Sequence, residues 1–224
     1  MDLLEAVKSR HSVRSYTDKK IEKEVSEQLE KTIEECNSEA DLNIQLCINE
    51  SEAFLSLMAK YGKFRNVNNY IALIGKKSDK LEERAGYYGE IIAIKAQQLG
   101  LNTCWVAMSY NKKKCPAKIN PNEKLLMVIA LGYGETGGIP HKTKPIEKLS
   151  SVKGDMPEWF RRGMEAVQLA PTAMNQQKFL FELNGNTVKT FPGSGFYVKV
   201  DLGIAKYHFE IGAGRNGWEW DTPK

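Results

Sequence analysis

Arg10, Ser12 and Arg14 stand at alternate positions just past a short amphipathic segment, Asp2 to Ser9, that reads as a helix. In extended backbone, residues two apart share a face. Two guanidinium forks and a hydroxyl on one face suit a phosphate, whose oxygens accept paired N–H donors. Two unconnected surface arginines would give the same string. A second cationic pair, Lys142 and Lys144, repeats the alternate spacing and could serve the same anion or face solvent. The third stretch is Ala170-Pro171-Thr172-Ala173-Met174-Asn175-Gln176-Gln177, with a hydroxyl, three side-chain amides and no charge. Neutral donors and acceptors in such density suit the edge of a heteroaromatic ring bearing carbonyls and nitrogens. A turn using Asn and Thr for local backbone bonds is the alternative.

Other chemistries find less support. His11, His141 and His208 lie near no serine or cysteine with motif context, and His208 reads as a packed histidine on an amphipathic helix. Gly193-Ser194-Gly195 is no nucleophile elbow, and no glycosidase-like pair of carboxylates stands out. Gly132-Tyr133-Gly134-Glu135-Thr136-Gly137 matches G-x-G-x-x-G after an apolar strand. Gly138, Pro140 and Pro145 follow where a dinucleotide-binding turn must open a helix, so that reading is rejected. Cys36, Cys47, Cys104 and Cys115 form no C-x-x-C, and no histidine lies at ligand spacing from them. Free thiols and no metal are expected.

The 224 residues, 42% hydrophobic and 27% charged, fit a soluble chain of one or two domains with a substantial core. A net charge of +4 favours anionic small ligands but is too small to argue nucleic acid. The run Lys112-Lys113-Lys114 reads as a solvated loop without aromatics for base stacking. The first residues lack the basic start and apolar run of a signal peptide, and no apolar stretch approaches a membrane span of ~20 residues. A cytoplasmic protein without membrane or nucleic-acid partners is expected.

Helices are expected at Glu22 to Glu35, ended by Asn37-Ser38-Glu39; at Ser51 to Lys60, capped by Ser51; and at Asp79 to Leu99, stopped by Gly100. Two more are expected at Glu158 to Leu169 and at Asp201 to Gly212, the latter capped by Asp201. Strands are expected at Leu42 to Ile48, Tyr70 to Gly75, Leu101 to Val106, Lys124 to Leu131 and Trp218 to Trp220. Phe179 to Leu183 and Thr187 to Phe191 form a hairpin around Asn184-Gly185-Asn186. Gly89 to Gly100 followed by Trp105 parallels Gly203 to Gly212 followed by Trp218, each a glycine-started helix with a glycine stop. This suggests an unequal duplication, 1–150 and 151–224, with coincidence as the alternative.

These segments together resemble the FMN-dependent nitroreductase family. Arg10-His11-Ser12-Val13-Arg14-Ser15-Tyr16 is similar to its R-R/H-S-x-R-x-F/Y signature, and Ala170 to Phe179 to its A-P-S-x-x-N-x-Q-P-W loop. Leu99 to Trp105 resembles its G-L-G-T-C-W segment, and Gly132-Tyr133-Gly134 with Lys142 and Lys144 its later G-Y-P…K-x-R stretch. Lys178 and Phe179 depart from the family's proline and tryptophan, and the amide loop falls in the second half instead of the first. The resemblance is to the subgroup of nitroreductases with two degenerate halves fused in one polypeptide.

It implies an α+β fold, an α-β-α sandwich with a central, mostly antiparallel sheet, built as a pseudo-dimer of unequal repeats. It implies FMN as cofactor, NADH or NADPH as donor and a small-molecule acceptor such as a nitroaromatic or quinone. By that resemblance Arg10, Arg14, Lys142 and Lys144 meet the phosphate, and His11 and Ser12 meet the phosphate or the flavin edge. Val106, Ala107 and Met108 approach the reactive edge, and Pro171, Thr172, Ala173, Asn175 and Gln177 hold the ring or ribityl chain. No side-chain base is required, because the flavin carries the chemistry. The expected assembly is a monomer whose halves complete the site, or a homodimer; a flavin-binding module with little turnover is the alternative.

Overall fold

The computed structural model describes residues 1–221. Helix α1 (Leu3–Ser9) opens on a reciprocal cap, in which the Asp2 carboxylate accepts the Glu5 N–H and the Glu5 carboxylate accepts the Asp2 N–H. The chain then runs extended to α2 (Lys23–Ala40). Strand β1 (Gln45–Ile48), the short helix α3 (Leu57–Tyr61), β2 (Asn69–Lys76), α4 (Leu81–Gln98), β3 (Asn102–Val106) and β4 (Glu123–Gly132) follow. After a long irregular stretch come β5 (Ser150–Val152), α5 (Glu158–Val167), β6 (Phe179–Asn184), β7 (Thr187–Pro192), α6 (Val198–Ala213) and β8 (Glu219–Trp220).

Two four-stranded sheets form where one central sheet was expected. The first, in order β1-β2-β4-β3, is wholly antiparallel. Its centre is apolar on both faces, with Tyr70 to Ile74 and Val128 to Leu131 almost fully buried. The second, in order β5-β6-β7-β8, has an antiparallel hairpin flanked by parallel pairs. Its turn at Gly185-Asn186 is the one expected, with Gly185 at φ +61°.

Helix α4 packs on the first sheet, α6 on the second, and the two helices cross. One core runs from Leu29 and Ile71 through Ile92 to Phe160, Phe181 and Phe209, so both parts of the chain share it. The crossing depends on two glycines. A Cβ on Gly86 would lie 2.1 Å from the Val200 carbonyl oxygen, and one on Gly203 would lie 2.0 Å from the Glu83 carbonyl oxygen. Each glycine meets the backbone three residues before the other, the reciprocity of a two-fold contact. Neither Gly89 nor Gly203 starts its helix: both lie inside one, and the glycine of α4 at the contact with Gly203's helix is Gly86.

Several boundaries move for local reasons. Asn37-Ser38-Glu39 stays inside α2, because Leu29, Ile33, Cys36 and Ala40 keep one buried stripe. Ser51 to Lys60 divides into a single 3-10 turn, Glu52–Phe54, and α3, whose cap is the Ser56 hydroxyl instead of Ser51. Gly100, at φ +81°, follows α4 as expected, but α6 stops at Gly214 instead of Gly212. Lys112 to Lys114 are exposed, as expected, although the Lys112 ammonium also donates to the Leu125 and Leu126 carbonyls of β4. The four cysteines are free. No described helix is long and apolar enough to cross a membrane.

Candidate functional site

The stretch after α1 is extended, the condition under which its alternate residues share a face. Ser12 bridges Thr103 of β3, Val13 donates to the Thr103 carbonyl at 3.0 Å, and Arg65 donates to the Arg14 carbonyl at 2.9 Å. The segment thus covers the side of β3 that β4 leaves open. Arg10, Ser12 and Arg14 grade outward along one face, from buried through half-buried to exposed. Arg14 lies over the Phe64 ring at 5.9 Å and makes no ion pair among the described residues. Both arginines act on buried Cys104: burial pushes its thiol up, and Arg14 and Arg10 oppose that rise.

Arg10 is 2% exposed and lies against α4. Its Nε is 3.5 Å from Glu90 Oε1, and neither Nε nor Nη1 finds a hydrogen-bond partner among the described residues. Glu90, itself fully buried, accepts the Trp105 indole N–H on Oε2 at 2.8 Å. His208 Nε2 lies 2.9 Å from Glu90 Oε1. Gly138 presses on the same segment: a Cβ there would meet His11 Cβ at 2.8 Å. His141 comes near Arg10, His11 and His208, and its Nε2 donates to the Gln168 carbonyl at 2.9 Å. Burial, with the Arg10 charge added, holds both His11 and His141 below the usual imidazole value. All three histidines therefore gather around Arg10.

The amide loop binds the segment that follows His141. Buried Gln177 accepts the Lys144 N–H at 2.8 Å and donates to the Lys142 carbonyl at 2.9 Å and to Asn175 Oδ1 at 2.8 Å. Asn175 donates to the same Lys142 carbonyl at 2.8 Å. Lys144 Nζ donates to the carbonyls of Gln176 and Gln177, at 2.8 and 3.0 Å. So Asn175 and Gln177 turn their amides to the Lys142–Lys144 backbone instead of to an open ring site, and Lys144 turns inward. Lys142 keeps an exposed ammonium. Pro171 is buried, Thr172 accepts the Gln177 N–H at 3.1 Å, and Ala173 donates to Asp201 at 2.9 Å. Val106 is buried at the end of β3; Ala107 and Met108 follow, Met108 with 67% of its surface exposed.

Met174, Asn175 and Gln177 all have left-handed backbone, at φ 50°, 54° and 43°, and Tyr197 beside them at 60°. Non-glycine residues in this region cost energy and persist only where surrounding bonds fix them. Asp201 is the main fixing group. It is buried inside α6, not at its cap, and takes the Ala173 N–H and the Gln176 amide at 2.7 Å. Burial raises its carboxyl to about 6. A raised folded value means that the native state holds this proton more tightly than the unfolded chain does. The carboxyl's contribution to stability therefore falls as pH rises from about 4 to about 6, then stays level. Asp201→Asn should gain on the wild type across that window by roughly 2–3 kcal/mol, measured by urea unfolding. A pH-independent difference would contradict this.

A cavity of about 570 Å³, lined by Glu39, Arg84, Tyr87, Lys206 and Trp220 among others, lies apart from this cluster and includes none of its residues. The spacing analysis missed Glu90, Asp201's anchoring role and the tie from Gln168 to the Lys144 carbonyl at 2.6 Å. Glu90 had one legible signal: it is an acid on the buried stripe of α4, one turn from Gly86 and from Ile94.

Comparison with known proteins bears on this geometry. A family model described as "Putative TM nitroreductase" matches residues 2–213. No curated protein matches the chain by sequence. Among solved structures, a "putative nitroreductase" from Thermotoga maritima is 25% identical, over 94% of this chain and 83% of that one, with a TM-score of 0.66. An FMN-dependent nitroreductase from Clostridium difficile is 21% identical, over 59% and 88%, with a TM-score of 0.50. A "putative NADH dehydrogenase/NAD(P)H nitroreductase" from Bacteroides thetaiotaomicron is 21% identical, over 66% and 95%, at 0.52. The last two likenesses concern the fold. The α+β architecture with its antiparallel sheet is that of the nitroreductases.

Proposed function

The chain belongs to the family described as "Putative TM nitroreductase", and on that premise we propose that it is an FMN-dependent oxidoreductase. In this reading it takes hydride from NADH or NADPH and delivers it to a small acceptor such as a nitroaromatic or quinone, in alternating half-reactions. FMN, when bound, supplies the hydride chemistry; the protein supplies position and electrostatics.

The observation that carries the reading is Arg10, a buried guanidinium whose Nε and Nη1 have no partner among the described residues, on the same extended segment as exposed Arg14; exposed Lys142 follows His141, which the Arg10 charge reaches. A buried donor without an acceptor is costly, and an anion relieves it. Arg10, Arg14 and Lys142, with His11 and Ser12, fit the phosphate end of FMN. Lys144 would act by fixing the loop and adding charge behind it. Thr172, Ala173, Asn175 and Gln177 would shape the loop beside the ring, with backbone from Val106, the last residue of Thr103's strand, to Met108 just past it. Exposed Met174 and Phe196, joined by the Gln176 bond to the Phe196 carbonyl, offer apolar surface there.

The duplication belongs to the same reading. The reciprocal Gly86 and Gly203 contacts support two fused halves, 1–150 and 151–224, completing one site within a chain that works as a monomer or homodimer in the cytoplasm. A second reading, a flavin-binding module with little turnover, is favoured by the engagement of Asn175 and Gln177 with backbone. Anaerobic addition of NADH and then NADPH to the FMN-loaded protein separates the two. Bleaching of the flavin absorbance, with recovery on adding a quinone, is the expected result. A flavin that stays oxidised with both donors would leave the binding module.

A further inference from the structure

The hydrogens around Glu90 can be assigned from geometry alone. His208 Nδ1 lies 3.0 Å from the Ala166 carbonyl oxygen, which only accepts, so Nδ1 carries a hydrogen. His208 Nε2 and Glu90 Oε1 face each other at 2.9 Å, and two lone pairs cannot share that contact. One proton therefore lies between them. The pair is imidazolium with carboxylate or imidazole with carboxylic acid, and either form sums to zero. The Trp105 indole N–H on Oε2 is neutral and does not alter the sum. Arg10 then keeps its full positive charge, although its Nε comes within 3.5 Å of Glu90.

From this we propose that His208 prevents Glu90 from neutralising Arg10, leaving the floor of the flavin site with one uncompensated positive charge that selects the cofactor's phosphate. His208 and Glu90 are positioning residues in this scheme: they act through Arg10. The inference rests on the flavin reading given above. Of the other ionisable groups tied to Arg10 among the described residues, His11, Arg14 and His141 carry no negative charge and burial holds the Cys104 thiol protonated.

The test is a charge cycle read by fluorescence titration of flavin-free protein with FMN, and with riboflavin as the phosphate-free control. Glu90→Gln leaves a neutral amide against a neutral imidazole, so Arg10 stays uncompensated and the FMN Kd should stay within about threefold of wild type. His208→Gln leaves Glu90 ionised against Arg10, and the FMN Kd should rise at least about tenfold, as expected for a unit charge removed near a phosphate in a partly buried site. The double variant restores the charge and should return FMN affinity to near the wild-type value. Riboflavin affinity should be level across the series. A merely structural role would weaken both ligands together and make the double variant worse than either single one.

Unchanged FMN affinity in His208→Gln, or no rescue in the double variant, would overturn the inference. If His208→Gln does not fold, Glu90→Gln still decides: tighter FMN binding by tenfold or more would show that Glu90 neutralises Arg10 in the wild type. Wild-type protein that binds neither ligand would overturn the flavin reading itself, and this inference with it. Wild-type protein that binds FMN without the expected pattern would overturn the inference alone.

Discussion

Arg10→Met will weaken FMN binding by about 1.5–3 kcal/mol, roughly 10- to 150-fold, and leave the apoprotein as stable as the wild type or more so. The two effects have separate causes. The loss of affinity follows from removing the buried cation under the phosphate site. The stability result follows from the proton count around Glu90. If Glu90 relied on Arg10 for neutrality, truncating Arg10 would strand a buried carboxylate, at a cost of about 3–5 kcal/mol. Glu90 instead has His208 at 2.9 Å and the Trp105 indole at 2.8 Å. Methionine fills much of the arginine's volume and removes a charge whose Nε and Nη1 lack acceptors. Exchanging buried ionic groups for apolar ones of similar size is neutral or stabilising by about 1–4 kcal/mol. FMN titration and urea unfolding of the same variant check both halves. An apoprotein destabilised by several kcal/mol would mean that Arg10 is Glu90's counter-ion.

Gly203→Ala will be among the most damaging single-methyl additions in the chain. Its Cβ would lie 2.0 Å from the Glu83 carbonyl oxygen and 2.7 Å from the Tyr87 nitrogen. Both obstacles are backbone, so no side-chain rotation relieves them and α4 must move away from α6. Both helices carry the shared core, so that movement loosens packing on either side. Alanine recovers about 1 kcal/mol of helix propensity over glycine. Overpacking against immovable atoms outweighs this, for a net loss of about 2 kcal/mol or more and a fall in Tm of roughly 4–8 °C. Gly86→Ala should behave alike, and the double variant should cost less than the sum, because one separation of the helices relieves both clashes. Gly137→Ala, with open space around its Cβ, is the control and should be near neutral. A near-neutral Gly203→Ala would mean that the crossing is wider than the structure has it.

What the sequence revealed and what it hid divide along physical lines. Local chemistry was partly legible: the alternation at Arg10, Ser12 and Arg14 makes one face only in extended backbone, and the stretch is extended along β3. Gly185 and Gly100 mark their turns because both need positive φ. Asp201 misled because a carboxylate near a helix start resembles a cap, yet here it faces inward and holds a loop of another element. The amides of Asn175 and Gln177 were visible as donors and acceptors, but their partners, the carbonyl of Lys142 and the N–H of Lys144, are backbone groups that no spacing identifies. Glu90 and His208 are 118 residues apart, and although Glu90 stands out as an acid on the buried stripe of its helix, no spacing pairs it with His208. Only the crossing of α4 and α6 makes them a pair.

The most direct measurement is a titration of flavin-free protein with FMN and with riboflavin, followed by flavin fluorescence. A phosphate site built on Arg10, Arg14 and Lys142 predicts saturation at one FMN per chain, with FMN bound about a hundredfold more tightly than riboflavin. Equal affinity for the two flavins, or binding of neither, would contradict it.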